Sequence, residues 1–389
     1  RDFLLSLVGS EMCIRDSARP VDMQRPVWEM YVIEGLDGVS WLPKGAFAVL
    51  VKVHQVAIDD VTEDDFTVAL HDLEATPEPE EIKRRWFSEQ APTGAQLLSL
   101  AWFNNARKLV ETGQSLLEAL PGIGGRSVDA DNVLHLDDAA APHTRFDGRV
   151  TPHRVLAPFT FDAAAAEVIN ATVADASLGD IVLTICSGAL RKYRADKGEL
   201  PDESLYALVP MHVHPGDQQD VPGHRVRPVR VRLMTDIVDP LERLASIREE
   251  MAEAKALETI TAEALSDLQD MLPASAMTFA ARTIGANSGP GKRYRENHNT
   301  VISIHPGPLE TLYLCGARLV GYTGLAALMD SLGLNHTVTT YDGKVTIAPV
   351  CDREMMPDPA FYYECLQAAF IELLEAAESV TVRATARNR

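Results

Sequence analysis

The residues best suited to chemistry are His54 and Asp59, in the run His54-Gln55-Val56-Ala57-Ile58-Asp59-Asp60. An imidazole changes charge near neutral pH, and a carboxylate can orient it, so the pair has the makings of a general base. The alternative is a structural histidine whose ring is satisfied by hydrogen bonds. Four further histidines, His212, His214, His224 and His305, are candidates for a relocated base. His212 and His214 share one face of a strand, as a chelating pair would. Polar residues lining a cleft are the simpler reading, and no metal is assigned. Arg225, Arg227, Arg230 and Arg232 form the densest basic run. They fit either phosphates or an anionic surface, or the solvated side of an edge strand that Pro228 interrupts.

The elements that must position these groups follow from periodicity. Residues 27–33 and 47–53 are rich in β-branched and aromatic side chains and read as two strands of a hairpin, which puts His54 on a strand exit, a common place for catalysis. A helix is expected from residue 60 on, then a solvated Pro/Glu-rich loop at 76–82. Apolar spacings of three and four predict a long amphipathic helix over 96–117, packed on the core or laid on lipid. Residues 127–149 are acidic and aperiodic and read as a linker. Beyond it, strands are expected at 155–161, 205–213, 226–234, 300–304, 312–320, 335–341 and 344–350. Helices are expected at 161–176, 180–195, 240–255, 262–281 and 359–378. Asp342-Gly343 predicts a two-residue hairpin turn. The mixture is α/β, with strands in both halves.

The chain has 389 residues, enough for two domains and a sizeable core. Its net charge of -20 argues against nucleic acid as a partner, and means that an anionic ligand must be met by a local basic patch. The five cysteines, Cys13, Cys186, Cys315, Cys351 and Cys365, contain no CxxC pair, which fits a reducing, cytoplasmic setting. No apolar run is long enough to span a bilayer, so contact with a membrane or lipid droplet would be peripheral. Residues 1–17 look like translated adapter sequence rather than a signal peptide, and fold reasoning starts at Ala18.

A series of short blocks, in order, carries a resemblance. Arg25-Pro-Val-Trp-Glu29 precedes the two strands and the His54 run. Then come Asp180-Ile-Val-Leu183, Gly188-Ala-Leu-Arg-Lys-Tyr193, Leu208-Val-Pro210 and Asp239-Pro-Leu-Glu-Arg-Leu244. Pro306-Gly-Pro308, Leu314-Cys-Gly-Ala-Arg-Leu-Val320, Leu334-Asn335, Tyr341-Asp-Gly343 and Asp352-Arg-Glu354 follow. Together they resemble the wax ester synthase/diacylglycerol acyltransferase family, over essentially everything after Ala18. A condensation-type enzyme of peptide assembly shares the HHxxxDG motif, but the C-terminal blocks argue against it. The resemblance implies the chloramphenicol-acetyltransferase-like fold: two α/β lobes with mixed sheets and a tunnel between them. The expected lobes are 18–126 and 150–389, joined by the linker 127–149, with the first lobe incomplete because His54 arrives early. It also implies an O-acyltransferase that moves a fatty acyl group from acyl-CoA to a long-chain alcohol or diacylglycerol, with acyl-CoA as substrate and no bound cofactor.

In that family the second His of HHxxxDG takes the hydroxyl proton as oxygen attacks the thioester. His54 matches the first His, Gln55 stands where the second is expected, Asp59 matches the Asp, and Asp60 replaces the Gly. An amide offers only hydrogen bonds, so the general base is expected to be lost in this copy, and a non-catalytic lipid- or partner-binding homologue is the alternative. The remaining positions carried over as substrate-binding are Asp180, Pro210, His212, Gly223, His224, Pro306 and Asn335. Several of the polar blocks around them have drifted: Pro210-Met-His-Val-His214, Gly223-His224 and Ile304-His-Pro306 replace the family's patterns.

Overall fold

Alternating apolar residues between Arg154 and Asp352 build a seven-stranded open sheet, seen in a computed structural model that describes residues 19–39, 42–54, 67–76, 92–100, 102–103, 141–173, 175–212, 226–271 and 297–387. The chain divides into two units. The first comprises Arg1–Pro77, Ala141–Ala254 and Glu296–Arg389, and the second Glu78–Ala140 and Lys255–Arg295.

In the first unit, β1 (Trp28–Ile33) and β2 (Ala48–Val53) form the expected antiparallel pair, in register Trp28 to Val53. One face of this ribbon carries Glu29 and Lys52, ion-paired at 3.4 Å, and the other Trp28, Met30 and Val32. The large sheet contains β3 (Arg154–Leu156), β4 (Phe159–Asp162), β5 (Tyr206–His212), β6 (Val226–Arg232), β7 (Thr300–His305), β10 (Leu334–Tyr341) and β11 (Lys344–Asp352). Its order is β3-β11-β10-β7-β5-β6, with β4 also on β11. The sheet is mixed: β7 runs parallel to β5 and β10, and the other pairs are antiparallel. A separate two-stranded hairpin, β8 (Tyr313–Leu314) and β9 (Ala317–Arg318), is tied to Asp72 by a bridge at Tyr313.

Helices α1 (Ala163–Asn170), α2 (Leu178–Asp196), α3 (Pro240–Met271) and α4 (Pro359–Arg387) complete the described fold. Helix α2 opens on a capping box: Asp180 N donates to Ser177 Oγ, and Ser177 N donates to Asp180 Oδ2 at 2.7 Å. It is buried nearly all round through Ile181, Val182, Leu183, Ile185 and Leu190, and ends at Gly198, whose φ of 67° suits the helix stop. Where α2 meets α4, a side chain on Gly188 would lie 2.9 Å from Ala369 Cβ and 3.0 Å from Arg243 of α3. Arg243 is itself buried there and donates to the Ile237 carbonyl at 3.0 Å.

Four differences from the sequence expectation have physical causes. The strand expected at 155–161 is split into β3 and β4, although both pair with β11 in one continuous register, because Ala157 N donates to the Pro349 carbonyl but Pro349 has no N–H to give back. The strand expected at 312–320 is the β8–β9 hairpin, turned by Cys315 and Gly316 at φ of 49° and 84°. The two helices expected at 240–255 and 262–281 are a single α3 through Met271: Thr259, Ile260 and Thr261 lower helix propensity, but no Gly or Pro interrupts the run. The last part of the expected linker is packed core. Phe146 is buried, Arg145 makes a two-pronged contact with Glu199 and lies 5.8 Å from the Tyr193 ring, and Gly333 N donates to the Phe146 carbonyl. The turn at Asp342-Gly343 has both residues at positive φ, 49° and 71°, as expected.

In the second unit, residues 94–100 and 102–103 are helical. Thr93 and Gln96 exchange hydrogen bonds as a capping box, so this helix starts two residues before the expected 96. Leu97, Leu98, Leu100, Trp102 and Phe103 are exposed.

Candidate active site

His54 is the residue after β2, and its N–H donates to the Val27 carbonyl at 2.8 Å, adding one rung to the β1–β2 ladder. The strand therefore fixes its backbone and leaves its side chain exposed on the exit, where the sequence places it. Gln55, Asp59 and Asp60 lie outside the described residues, as do His214, Gly223, His224 and Arg225.

One of the substrate-binding candidates, Pro210, stands at a fork in the large sheet, and Asp180 lies in the first turn of the helix whose Gly179 packs near Ile304 of β7. Strands β5 and β7 pair only at Ala207 with Thr300 and Leu208 with Val301, although β5 continues to His212 and β7 to His305. The reason is Pro210. Tyr206 N donates to Asn299 Oδ1 at 3.0 Å and Tyr206 O accepts from Asn299 N, so the even-numbered peptides of β5 point towards β7. The next such position after Leu208 is Pro210, which has no N–H. The parallel ladder stops there, while β5 stays paired with β6 through Pro210 opposite Pro228. Pro228 is exposed on the edge strand, where a missing donor costs little. Pro210 is therefore a backbone device that opens the sheet.

On the helix side of the fork lie Val209 and Met211 from β5, Ile302 and Ile304 from β7, and Leu178 from the first turn of α2. Gly179 brings the capping box close: a Cβ there would sit 3.4 Å from both Ile304 Cδ1 and Ser177 Oγ. Asp180 is 4% exposed, and Ser177 N and Oγ both donate to its Oδ2 at 2.7 Å. Its Oδ1 is buried and has no hydrogen-bond partner among the described residues. The capping signal, Ser177 three residues before Asp180, is readable in the sequence but was not drawn from it.

The other candidates are not gathered here. Asn335 stands at the opposite end, near the start of β10, and donates through Nδ2 to the Ala327 carbonyl at 2.7 Å, holding the segment that covers that face. Pro306 follows β7, and the neighbouring Gly307 N donates to Thr340 Oγ1 at 3.0 Å. A side chain on Gly307 would fall on the Thr340 carbonyl, so the Pro306-Gly-Pro308 block is a close-packing device. His212 ends β5, and His305 ends β7, half-buried. The basic run falls on β6, the sheet edge: Arg230 stacks 3.6 Å from the Tyr206 ring centre and donates to the Asn297 carbonyl, and Arg232 pairs with Asp236 at 3.1 Å.

Sequence reasoning missed His336. It is fully buried on β10, with Nε2 2.8 Å from the Tyr362 hydroxyl and Nδ1 3.1 Å from Thr300 Oγ1. Thr300 Oγ1 donates to the Leu334 carbonyl, so Nδ1 carries the hydrogen, and Nε2 accepts from Tyr362. Burial holds the ring neutral, with its pKa lowered from 6.5 to about 3. The same burial raises the thiols of Cys186, Cys351 and Cys365, which are inert core residues.

Comparison with known proteins decides the family. Residues 10–182 match the wax ester synthase/diacylglycerol acyltransferase catalytic domain, and residues 223–374 the WS/DGAT C-terminal domain. A putative diacylglycerol O-acyltransferase of Mycobacterium bovis is 30% identical over 345 residues, covering 87% of this chain and 71% of its own length. The chain belongs to the wax ester synthase/diacylglycerol acyltransferase family. A second WS/DGAT relative, a putative diacylglycerol O-acyltransferase of Mycobacterium tuberculosis, is 28% identical over 374 residues, 94% of this chain and 78% of the relative. The fold is that of the wax ester synthase/diacylglycerol acyltransferase from Marinobacter aquaeolei VT8, with a TM-score of 0.61 at 22% identity over 94% of this chain and 75% of that one.

Proposed function

We propose that this chain is an acyl-CoA-dependent O-acyltransferase of wax ester and triacylglycerol synthesis that works poorly because its general base has been lost. The carrying observation is Gln55. In a member of this family, the run from His54 to Asp59 is where HHxxxDG is expected, and an amide stands in the second His position. The acyl donor in this reading is acyl-CoA, and the acceptor is a long-chain alcohol or diacylglycerol. Two acyltransferase lobes, 18–126 and 150–389, hold them, with residues 141–149 moved from the linker into the second. The setting is cytoplasmic, with peripheral contact to a membrane or lipid droplet. The exposed Leu97, Leu98, Trp102 and Phe103 support that contact, and no helix among the described residues is long and apolar enough to cross a membrane.

Labelled decanoyl-CoA with a long-chain alcohol or diacylglycerol, beside the variant Gln55→His, tests this. The variant is expected to turn over at least about 10²-fold faster than the parent, the usual worth of a positioned base. A parent that already turns over at the variant's rate sinks the lost-base claim. If neither turns over but decanoyl-CoA binds, the non-catalytic lipid-binding reading replaces it.

A further inference from the structure

The helix at 94–103 in the second unit is apolar all round. At about 100° per residue, Leu97, Leu98, Leu100, Trp102 and Phe103 are spread about its axis rather than gathered in one stripe. A helix of that kind is ordinarily buried. Here all five side chains are exposed, Leu98 at 77% and Trp102 at 74%. Large apolar side chains left together in water mark a contact surface.

Charge, length and hydrogen bonding select what covers it. From Gln90 to Ala106 there is no Asp, Glu, Lys, Arg or His. The segment gives an anionic headgroup nothing to pair with, and the net charge of -20 repels such a surface. An interfacial amphipathic helix keeps a charged face in water, and this helix has none. Residues 94–103 span about 15 Å, half of the ~30 Å hydrocarbon core, so the helix is too short to cross a bilayer. Its hydroxyls are satisfied from within: Thr93 Oγ1 donates to Gln96 Oε1 at 3.0 Å and Ser99 Oγ to the Gln96 carbonyl at 2.9 Å. That is the condition a helix meets to leave water without stranding its polar groups. The Gln96 amide, in the first turn, is left for the aqueous end. A neutral-lipid surface, triacylglycerol or wax under a zwitterionic coat, offers an apolar phase with no anionic layer, into which an uncharged helix can sink on all sides.

We propose that the helix at 94–103 is the element by which the protein enters a neutral-lipid surface, with Leu97, Leu98, Leu100, Trp102 and Phe103 immersed and the capped first turn at the water side. This rests on the peripheral contact in the proposed function, and names the segment and the class of lipid. Neutral lipid is also what the proposed reaction makes, so the helix holds the protein where its product collects.

Flotation of the full chain tests this without depending on turnover. The probes are triolein droplets coated with phosphatidylcholine, phosphatidylcholine vesicles, and vesicles of phosphatidylcholine with phosphatidylglycerol. The parent is expected to float with the droplets, to bind the zwitterionic vesicles less and the anionic ones least. Leu98→Glu and Trp102→Glu are each expected to lower droplet binding about tenfold or more, as the loss of one large buried side chain provides, with the folded signal and decanoyl-CoA binding unchanged. Val238→Glu makes the same change at an exposed residue of the first unit and is expected to float like the parent. A parent that stays in solution, or that binds either vesicle as well as the droplets, overturns the proposal. So do Leu98→Glu and Trp102→Glu variants that float like the parent, or a Val238→Glu that is as damaging as they are. Self-association abolished by Leu98→Glu, in a parent that does not float, would make the helix a contact between copies instead. Failure of decanoyl-CoA to bind the parent strikes the acyltransferase reading and leaves the droplet result standing, which separates the two failures.

Discussion

At the scale of single residues, His336 shows how far a side chain can be driven from its ordinary behaviour by burial. Its ring is satisfied as a neutral species by Tyr362 and Thr300, so a proton has no place to go in the folded state. With the folded pKa near 3 and the ordinary value at 6.5, the unfolded chain takes up a proton that the folded chain refuses as the pH falls between them. The stabilisation is complete above about pH 6.5 and is lost at up to ~1.4 kcal/mol per pH unit below it. Urea unfolding at pH 7 and pH 5 should show a smaller fall for His336→Gln than for the parent. Equal falls would mean that His336 is not the group responsible. Nothing in the sequence marks His336 as special, since a histidine among the β-branched residues of 335–341 looks like any polar interruption. Gln55, in contrast, was legible at once, because a motif fixes its place without any fold. Asp180 is intermediate. The resemblance pointed to it, but its burial and the unshared Oδ1 are visible only in the fold.

At the scale of elements, periodicity located most strands and helices, and where it failed the cause was local. The split opposite Pro349 and the turn at Cys315-Gly316 are each set by one or two residues that a pattern averages over, and α3 runs on because no Gly or Pro interrupts it. The fork could not be read from sequence. Pro210 is compatible with a strand, and only the finding that its nitrogen faces β7 makes it the end of a ladder. The crossing of α2 and α4 gives the clearest mutational consequence at this scale. Gly188 lets Ala369 and the buried Arg243 approach α2, and a methyl group there would lie 2.9 Å from the first and 3.0 Å from the second, inside van der Waals contact with both. Gly188→Ala improves helix propensity by roughly 1 kcal/mol, yet overpacking typically costs about 1–3 kcal/mol, and the buried guanidinium has little freedom to retreat. A net loss of stability is expected in thermal or urea unfolding. A gain would show that the helices separate cheaply at this point.

At the scale of the whole molecule, the charge balance bears on how a polyanionic substrate arrives. The sequence carries 56 acidic against 36 basic residues, and its strongest described cations are already engaged: Arg145 with Glu199, Lys197 with Asp358, Arg318 with Asp342. Even the basic run on β6 is partly spent, on Tyr206 and Asp236. The long-range field on an approaching CoA moiety is then repulsive, and salt should relieve it. Raising ionic strength from about 10 mM to about 150 mM shortens the screening length from ~30 Å to ~8 Å. Stopped-flow association of decanoyl-CoA is therefore expected to speed up over that range, while uncharged decanol stays constant as the control. The opposite result, decanoyl-CoA slowing with salt, would mean that a cationic funnel at the donor entrance outweighs the net charge of -20, and would direct attention to the Arg225–Arg232 run as its source.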